Sequence, residues 1–245
     1  MAAAMARGFR LRGGPEAMLF SDAGSGRAAA LASELNGAAT ASLAELAGSS
    51  DVIVLAVKPT ALDQAAQALG PFPGPLVSVL GATPAARVQS AFPAASVLRT
   101  MPNLAVEVGR GVICHAPPAD PGALVPVLEL LGRIATLIEL PEEQLDAATA
   151  LMGCTPAYLA LACEALSDAG VSAGLDPELA GRLIGLTAAG AGELLVTHDP
   201  ADLQRAVASP GGSTEAGLEA LGEHRVREAF AAAVSASLER MEGKR

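Results

Sequence analysis

The residues best equipped for chemistry gather in short turns rich in hydroxyls and glycine, and the richest of these is Ala208-Ser209-Pro210-Gly211-Gly212-Ser213-Thr214. Two glycines after a proline lay bare backbone N–H groups where a small anion meets no Cβ. Ser209, Ser213 and Thr214 set three hydroxyls around the same bend, and Glu215-Ala216-Gly217-Leu218 continues as the start of a helix. A helix N-terminus behind a glycine turn favours a carboxylate or phosphate. The competing reading is ordinary capping, with Ser213 or Thr214 as the cap.

Three further turns carry polar groups at the ends of apolar runs. Ala56-Val57-Lys58-Pro59 closes the most apolar run, and Lys58 is the only lysine in the body of the chain, placed to steady a nucleotide or its phosphate. Arg99-Thr100-Met101-Pro102-Asn103 reads as a strand-end loop in which Asn103 offers an amide to a ligand. Ser21 and Asp22, with Arg27 just beyond, follow Met18-Leu19-Phe20, where a dinucleotide fold meets the adenosine ribose. An acidic residue there favours a free 2′-hydroxyl, whereas Ser and Arg suit a 2′-phosphate, so NAD and NADP both stay open.

Other chemistries find little support. No Ser–His–Asp, Cys–His or paired-carboxylate arrangement stands out. Tyr158, the lone tyrosine, follows Pro156 on an apolar helix and fits a core or interface position. Cys114, Cys154 and Cys163 are odd in number and lack ligand spacing, which argues against a metal and fits unpaired thiols in a reducing cytoplasm. Ligand-holding loops with few acids or bases suit a reaction whose hard step belongs to a cofactor, such as hydride transfer.

The elements that must position these turns change type along the chain. Up to about residue 140, short β-type runs (Met18–Phe20, Val52–Val57, Leu76–Leu80, Ser96–Leu98, Gly111–Cys114, Ala135–Ile138) alternate with helical stretches at Ser25–Leu35, Thr60–Leu69, Thr83–Phe92 and Pro121–Leu131. Such alternation predicts an α/β, doubly wound, Rossmann-type parallel sheet over 1–140. From 141 to 245 the strands stop, and Glu142–Ala169, Pro177–Thr197, Pro200–Ala208 and Ser213–Arg240 all read as helix. Those helices are apolar on more than one side, so an all-helical dimerisation domain is expected, giving a homodimer or higher homo-oligomer.

Composition narrows the partners. A net charge of −10 with two lysines argues against nucleic acid and against a polybasic membrane contact. The longest uncharged run, Ala147–Cys163, is short for a membrane span and is interrupted by Gly153, Thr155 and Pro156. No sustained apolar segment of secretory type marks the stretch from Met1 to Arg12.

Taken together, these motifs resemble pyrroline-5-carboxylate reductase over the whole chain and in order. Ala56-Val57-Lys58-Pro59 matches the family's A-V-K-P, and Arg99-Thr100-Met101-Pro102-Asn103 its R-x-M-P-N. Pro156-Ala157-Tyr158 with Glu164-Ala165-Leu166-Ser167-Asp168-Ala169-Gly170-Val171 is similar to P-A-Y and E-A-L-x-D-A-G-V, and Ser209–Thr214 to S-P-G-G-x-T. The resemblance implies that NAD(P)H reduces a cyclic imine carboxylate to L-proline. It implies that Ser209, Gly211, Gly212, Ser213 and Thr214 hold the substrate, its carboxylate on backbone N–H groups. Thr214 would be the catalytic residue, facing the ring nitrogen that gains a proton as hydride arrives. Ser21, Asp22, Ala56, Val57, Lys58, Pro59, Met101 and Asn103 would line the coenzyme, and no metal is implied.

Departures from the family pattern set further expectations. Met152-Gly153-Cys154-Thr155-Pro156 stands for S-G-S-G-P, Leu104-Ala105 follows Asn103 in place of T-P, and Leu43 stands where the family often has a cofactor-facing asparagine. The family's opening strand and G-x-G-N loop have no counterpart before Met1-Ala2-Ala3-Ala4-Met5, so the two neighbouring strands are expected to keep unpaired edges. A late-assigned start is the expected explanation. The alternatives are a non-catalytic dimeric relative that has lost dinucleotide binding, and an NADP-dependent imine reductase with a changed substrate.

Overall fold

The computed structural model describes residues 1–241 and 243. In chain order the elements are α1 (Ala2–Leu11), β1 (Leu19–Phe20), α2 (Arg27–Leu35), β2 (Ala38–Ala39), α3 (Leu43–Gly48), β3 (Ile53–Leu55), α4 (Leu62–Leu69), β4 (Pro75–Ser78), α5 (Ala85–Ala91), β5 (Ser96–Pro102), β6 (Gly111–His115), α6 (Pro121–Gly132) and β7 (Ala135–Glu139). Then come α7 (Leu145–Ala148), a π-helical turn at Thr149–Gly153, α8 (Thr155–Ser172), α9 (Pro177–Leu195), α10 (Pro200–Val207), α11 (Ser213–Glu223) and α12 (Val226–Met241). The fold is a Rossmann-like, mostly parallel sheet with helices, followed by helices alone.

Alternating side chains send the strands' apolar groups to two faces. Ile53, Leu55, Leu76 and Val97 pack with Leu62 and Leu69 of α4, Val88 of α5 and partly buried Leu43 and Leu46 of α3. Val77, Leu98 and partly buried Val52 and Val54 pack on the other side with Met5 and Phe9 of α1 and Leu124, Val127 and Leu131 of α6. This explains why the run around β3 is apolar at every position: both faces are covered. Each such side chain, once buried, contributes on the order of 1.5–3 kcal/mol.

The strands stand as two sheets, β1-β2 and β3-β4-β5-β6-β7, and β1 does not pair with β3. That agrees with the unpaired edges expected for these two neighbours. In the larger sheet β5 runs parallel to β4 and antiparallel to β6. It is longer than its apolar run predicts, because Thr100, Met101 and Pro102 pair with His115, Cys114 and Ile113. Against α1, Gly8 allows a close approach: a Cβ there would overlap the Val106 carbonyl.

Residues 1–154, with the stretch from Leu238, form one compact unit, and 155–237 form the second. In the second, α8 and α9 pack together, and the Tyr158 hydroxyl bonds Ser237 Oγ at 2.8 Å and the Ala233 carbonyl at 3.3 Å, tying α8 to α12. The single long helix expected over Ser213–Arg240 is broken instead. Arg225 adopts a left-handed φ of 56°, and such a residue ends a helix. By length and composition the Glu142–Ser172 stretch is apolar enough to cross a membrane.

Candidate functional site

The turn before α11 is built by its own backbone. Gly211 has φ +72°, and the Gly212 N–H donates to the Ser209 carbonyl at 2.9 Å. A Cβ on Gly212 would lie 2.8 Å from that carbonyl oxygen, so the tight bend needs glycine. The Gly211 N–H donates to Glu215 Oε2 at 2.7 Å. This differs from the expectation that both glycine N–H groups face a ligand: they are taken within the loop. Glu215 is itself a residue the motif reading passed over, although a Glu at the third helical position is a known reach-back signal.

Gly212 is the N-cap of α11, and no side chain caps it. The capping role weighed for Ser213 and Thr214 is therefore not what the structure shows. The N–H groups of Ser213 and Thr214 lie in the first turn, where no preceding helical carbonyl can accept them, and both residues are exposed. Two backbone donors and two hydroxyl-bearing residues thus stand at the start of an eleven-residue helix. Elsewhere this chain caps differently: Asp120, Asp176 and Asp199, each followed by proline, accept N–H groups of α6, α9 and α10.

The turn after β1 is organised the opposite way. Asp22 Oδ1 accepts from Gly24 N at 2.7 Å and Ser25 N at 2.9 Å; Oδ2 accepts from Ala28 N at 2.7 Å and Ser25 Oγ at 2.9 Å. The Ala28 N–H above all, then the Ser25 hydroxyl, hold this carboxyl at about 2, well below its ordinary value. Gly24 and Gly26 take positive φ to make the turn, and Ser21 is half-buried while Arg27 is exposed at the first position of α2.

At the end of β3, Ala56, Lys58 and Pro59 are exposed and Val57 packs against the core. Pro59 opens a 3-10 turn, Pro59–Ala61, and among the described residues Lys58 makes no ion pair. The end of β5 is more enclosed than a strand-end loop. Met101 packs with Cys114, Ala116 and Leu145, and burial pushes the Cys114 thiol up. Asn103 uses its amide internally: Oδ1 accepts from Val112 N at 3.1 Å, and Nδ2 donates to the Met152 carbonyl at 3.4 Å. Met152 lies in the π-helical turn, next to the Cys154 and Thr155 departures. Leu43 faces the core as the first residue of α3.

One cluster escaped the motif reading. Arg99 is 4% exposed on β5, its Nη1 3.1 Å from Glu142 and its Nη2 2.8 Å from Asp146. Glu142 Oε1 also accepts the Ala85 N–H at 2.6 Å. A lone arginine inside an otherwise apolar strand was the available signal, since a buried charge needs partners.

The strand-end groups fit a nicotinamide dinucleotide at two points: the exposed Lys58 turn after a fully covered strand, and the polar turn after β1. Met101 packs beside Cys114 and Leu145, and the Asn103 amide has protein partners.

Known proteins resemble the chain over most of its length. The family described as pyrroline-5-carboxylate reductase dimerisation matches residues 142–244, and the family described as NADP oxidoreductase coenzyme F420-dependent matches residues 1–80. A pyrroline-5-carboxylate reductase of Synechocystis is 38% identical over 202 residues, 80% of this chain and 76% of the relative. The solved 1-pyrroline-5-carboxylate reductase of Streptococcus pyogenes superposes with a TM-score of 0.88 at 25% identity, covering 99% of this chain and 95% of that one. The Plasmodium falciparum pyrroline carboxylate reductase, solved with NADP bound, gives 0.85 at 26% identity, covering 98% and 93%.

Proposed function

The chain belongs to the pyrroline-5-carboxylate reductase family of NAD(P)-dependent oxidoreductases acting on CH–NH bonds, and we propose which of its residues carry that reduction. The observation that carries the proposal is the uncapped start of α11. The substrate, 1-pyrroline-5-carboxylate, has a carboxylate beside a cyclic C=N. The N–H groups of Ser213 and Thr214 bind the carboxylate, helped by the positive end of the helix. Gly211 and Gly212 act by shaping the bend, and Ser209 by accepting the Gly212 N–H that closes it.

Thr214 is the catalytic residue of this reading. Its hydroxyl both donates and accepts, so it follows the ring nitrogen from imine to amine. A reduced nicotinamide, when bound, supplies the hydride. As the C=N carbon gains hydride, the nitrogen gains a proton from the Thr214 hydroxyl, which is replenished from solvent, and the double bond becomes the CH–NH of L-proline. Lys58, with Ala56, Val57 and Pro59, is assigned to the coenzyme, as are Ser21 and the turn of Asp22. Met101 and Asn103 serve by holding β5 against β6 and the π-helical turn.

The helical half is assigned to a homodimer. Among the described residues α8, α11 and α12 bury no side chain, while Leu161 is 65% exposed, Leu186 65% and Val196 79%. An apolar surface of that extent needs a partner, and a second copy supplies it symmetrically. Three free thiols support a reducing compartment such as the cytoplasm. The test is direct: incubate the protein with pyrroline-5-carboxylate and NADH or NADPH and measure L-proline. Proline formed in proportion to coenzyme oxidised supports the assignment; none with either coenzyme overturns it.

A further inference from the structure

The turn between β1 and α2 contains its own anion. We infer that Asp22 is a specificity-determining residue of the coenzyme site, and that this chain takes NADH in preference to NADPH. The inference rests on the coenzyme assignment above and asks which of the two coenzymes the site was built for.

The argument starts from position. In a doubly wound sheet, the C-terminal end of the strand that β1 represents meets the adenosine ribose, and NADP differs from NAD only by a phosphate on that ribose. A 2′-phosphate needs donors, and four of those in this turn are the N–H groups of Gly24, Ser25 and Ala28 and the Ser25 hydroxyl. All four are engaged by the two oxygens of Asp22, at 2.7–2.9 Å. A phosphate arriving there finds these four donors taken and a negative charge among them.

Charge points the same way. A phosphate monoester carries roughly −1.5 to −2 near neutrality. Arg27, exposed at the start of α2, is the nearest cation in the turn, and its single charge is offset by Asp22. NADH asks nothing of this kind, since a ribose hydroxyl can bond the half-buried Ser21 or water without displacing the carboxylate.

The experiment uses the full chain and two readouts. Binding of NAD+, NADP+, 5′-AMP and adenosine 2′,5′-bisphosphate is measured by calorimetry for the wild type, Asp22→Ser and Asp22→Asn. Proline formation is then compared with NADH and NADPH. The expected wild-type result is tighter binding of the ligand without the 2′-phosphate, by about tenfold or more. Asp22→Ser frees the four donors and should move the ratio toward the 2′-phosphorylated ligand by at least about tenfold; Asp22→Asn should move it less.

Wild-type preference for NADP+, an unchanged ratio in Asp22→Ser, or silence of every nucleotide with both proteins overturns the inference. If Asp22→Ser does not fold, as judged by circular dichroism, the wild-type ratio and Asp22→Asn decide. Proline formed faster with NADPH defeats the inference alone, whereas no proline with either coenzyme defeats the functional assignment and leaves the binding ratio to be read.

Discussion

Two glycine-bearing turns lead into helices in this molecule, one before α2 and one before α11, and they treat an anion in opposite ways. Before α2, a carboxylate from the turn itself takes four donors. Before α11, glycine stands at the cap, no side chain reaches the first N–H groups, and two hydroxyls flank them. Both turns look alike as strings of Gly, Ser and a helix start. Both helices carry glycine at the N-cap, Gly26 and Gly212; what separates them is Asp22, four residues before Gly26, whose carboxylate reaches forward to Ala28 N where the second turn has Ala208. A helix start stays open to a ligand only where no nearby side chain takes its first N–H groups.

The largest effect is expected at Thr214. Thr214→Val keeps shape and removes the hydroxyl, and kcat for proline formation should fall by about 10²–10⁴, with the circular dichroism spectrum unchanged. A loss below threefold would move the proton-handling role elsewhere. Next comes an exchange of character between the turns. Ser213→Asp puts a resident carboxylate at the first position of α11, so the substrate's KM should rise by about tenfold or more. Thermal stability should rise at the same time, by about 0.3–1 kcal/mol, since an acid suits a helix N-terminus. Activity and stability moving together in the same direction would contradict the comparison.

A purely structural cap provides the contrast. Asp176→Ala removes the acceptor for Glu178 N and Leu179 N and should cost about 1 kcal/mol in urea unfolding, with KM unchanged. The smallest effect is acid dependence. Asp22 sits at about 2 in the folded chain against an ordinary 3.8, so its folded form holds the proton less tightly than the unfolded one. Its stabilising contribution is therefore complete above about pH 4 and is lost as pH falls toward 2. The difference in melting temperature between wild type and Asp22→Asn should shrink across that window; a difference that grows on acidification would reverse the sign.

Much of the fold was legible because burial imposes a pattern on sequence. Val52 to Val57 is apolar throughout since β3 is covered on both faces, and the Asp-Pro pairs at 120, 176 and 199 mark helix starts that the structure shows capped. Less legible were features set by long-range pairing. The extension of β5 through Met101 and Pro102 depends on β6, a partner met only after the chain turns back. Arg99 finds Glu142 and Asp146 more than forty residues away. The break at Arg225 needs a positive φ at a residue type that seldom adopts one.

The candidate site divides along the same line. The bend at Gly211-Gly212 and the hydroxyls beside it were visible locally, because tight turns select glycine by sterics. That Glu215 takes the Gly211 N–H, and Ser209 the Gly212 N–H, was not visible, since it depends on which rotamer and which carbonyl close the loop. The same holds for Asn103, whose amide serves Val112 and Met152 rather than lying free. Motif matching names the residues at a site; hydrogen-bond partners decide which of their atoms remain open to a ligand.

The most direct test of the account is a crystal structure with the product L-proline bound. The proline carboxylate should lie about 3 Å from the N–H groups of Ser213 and Thr214, with its ring nitrogen at the Thr214 hydroxyl and the Gly211 N–H still held by Glu215. A carboxylate seated away from the start of α11, or a ring nitrogen out of reach of Thr214, would contradict it.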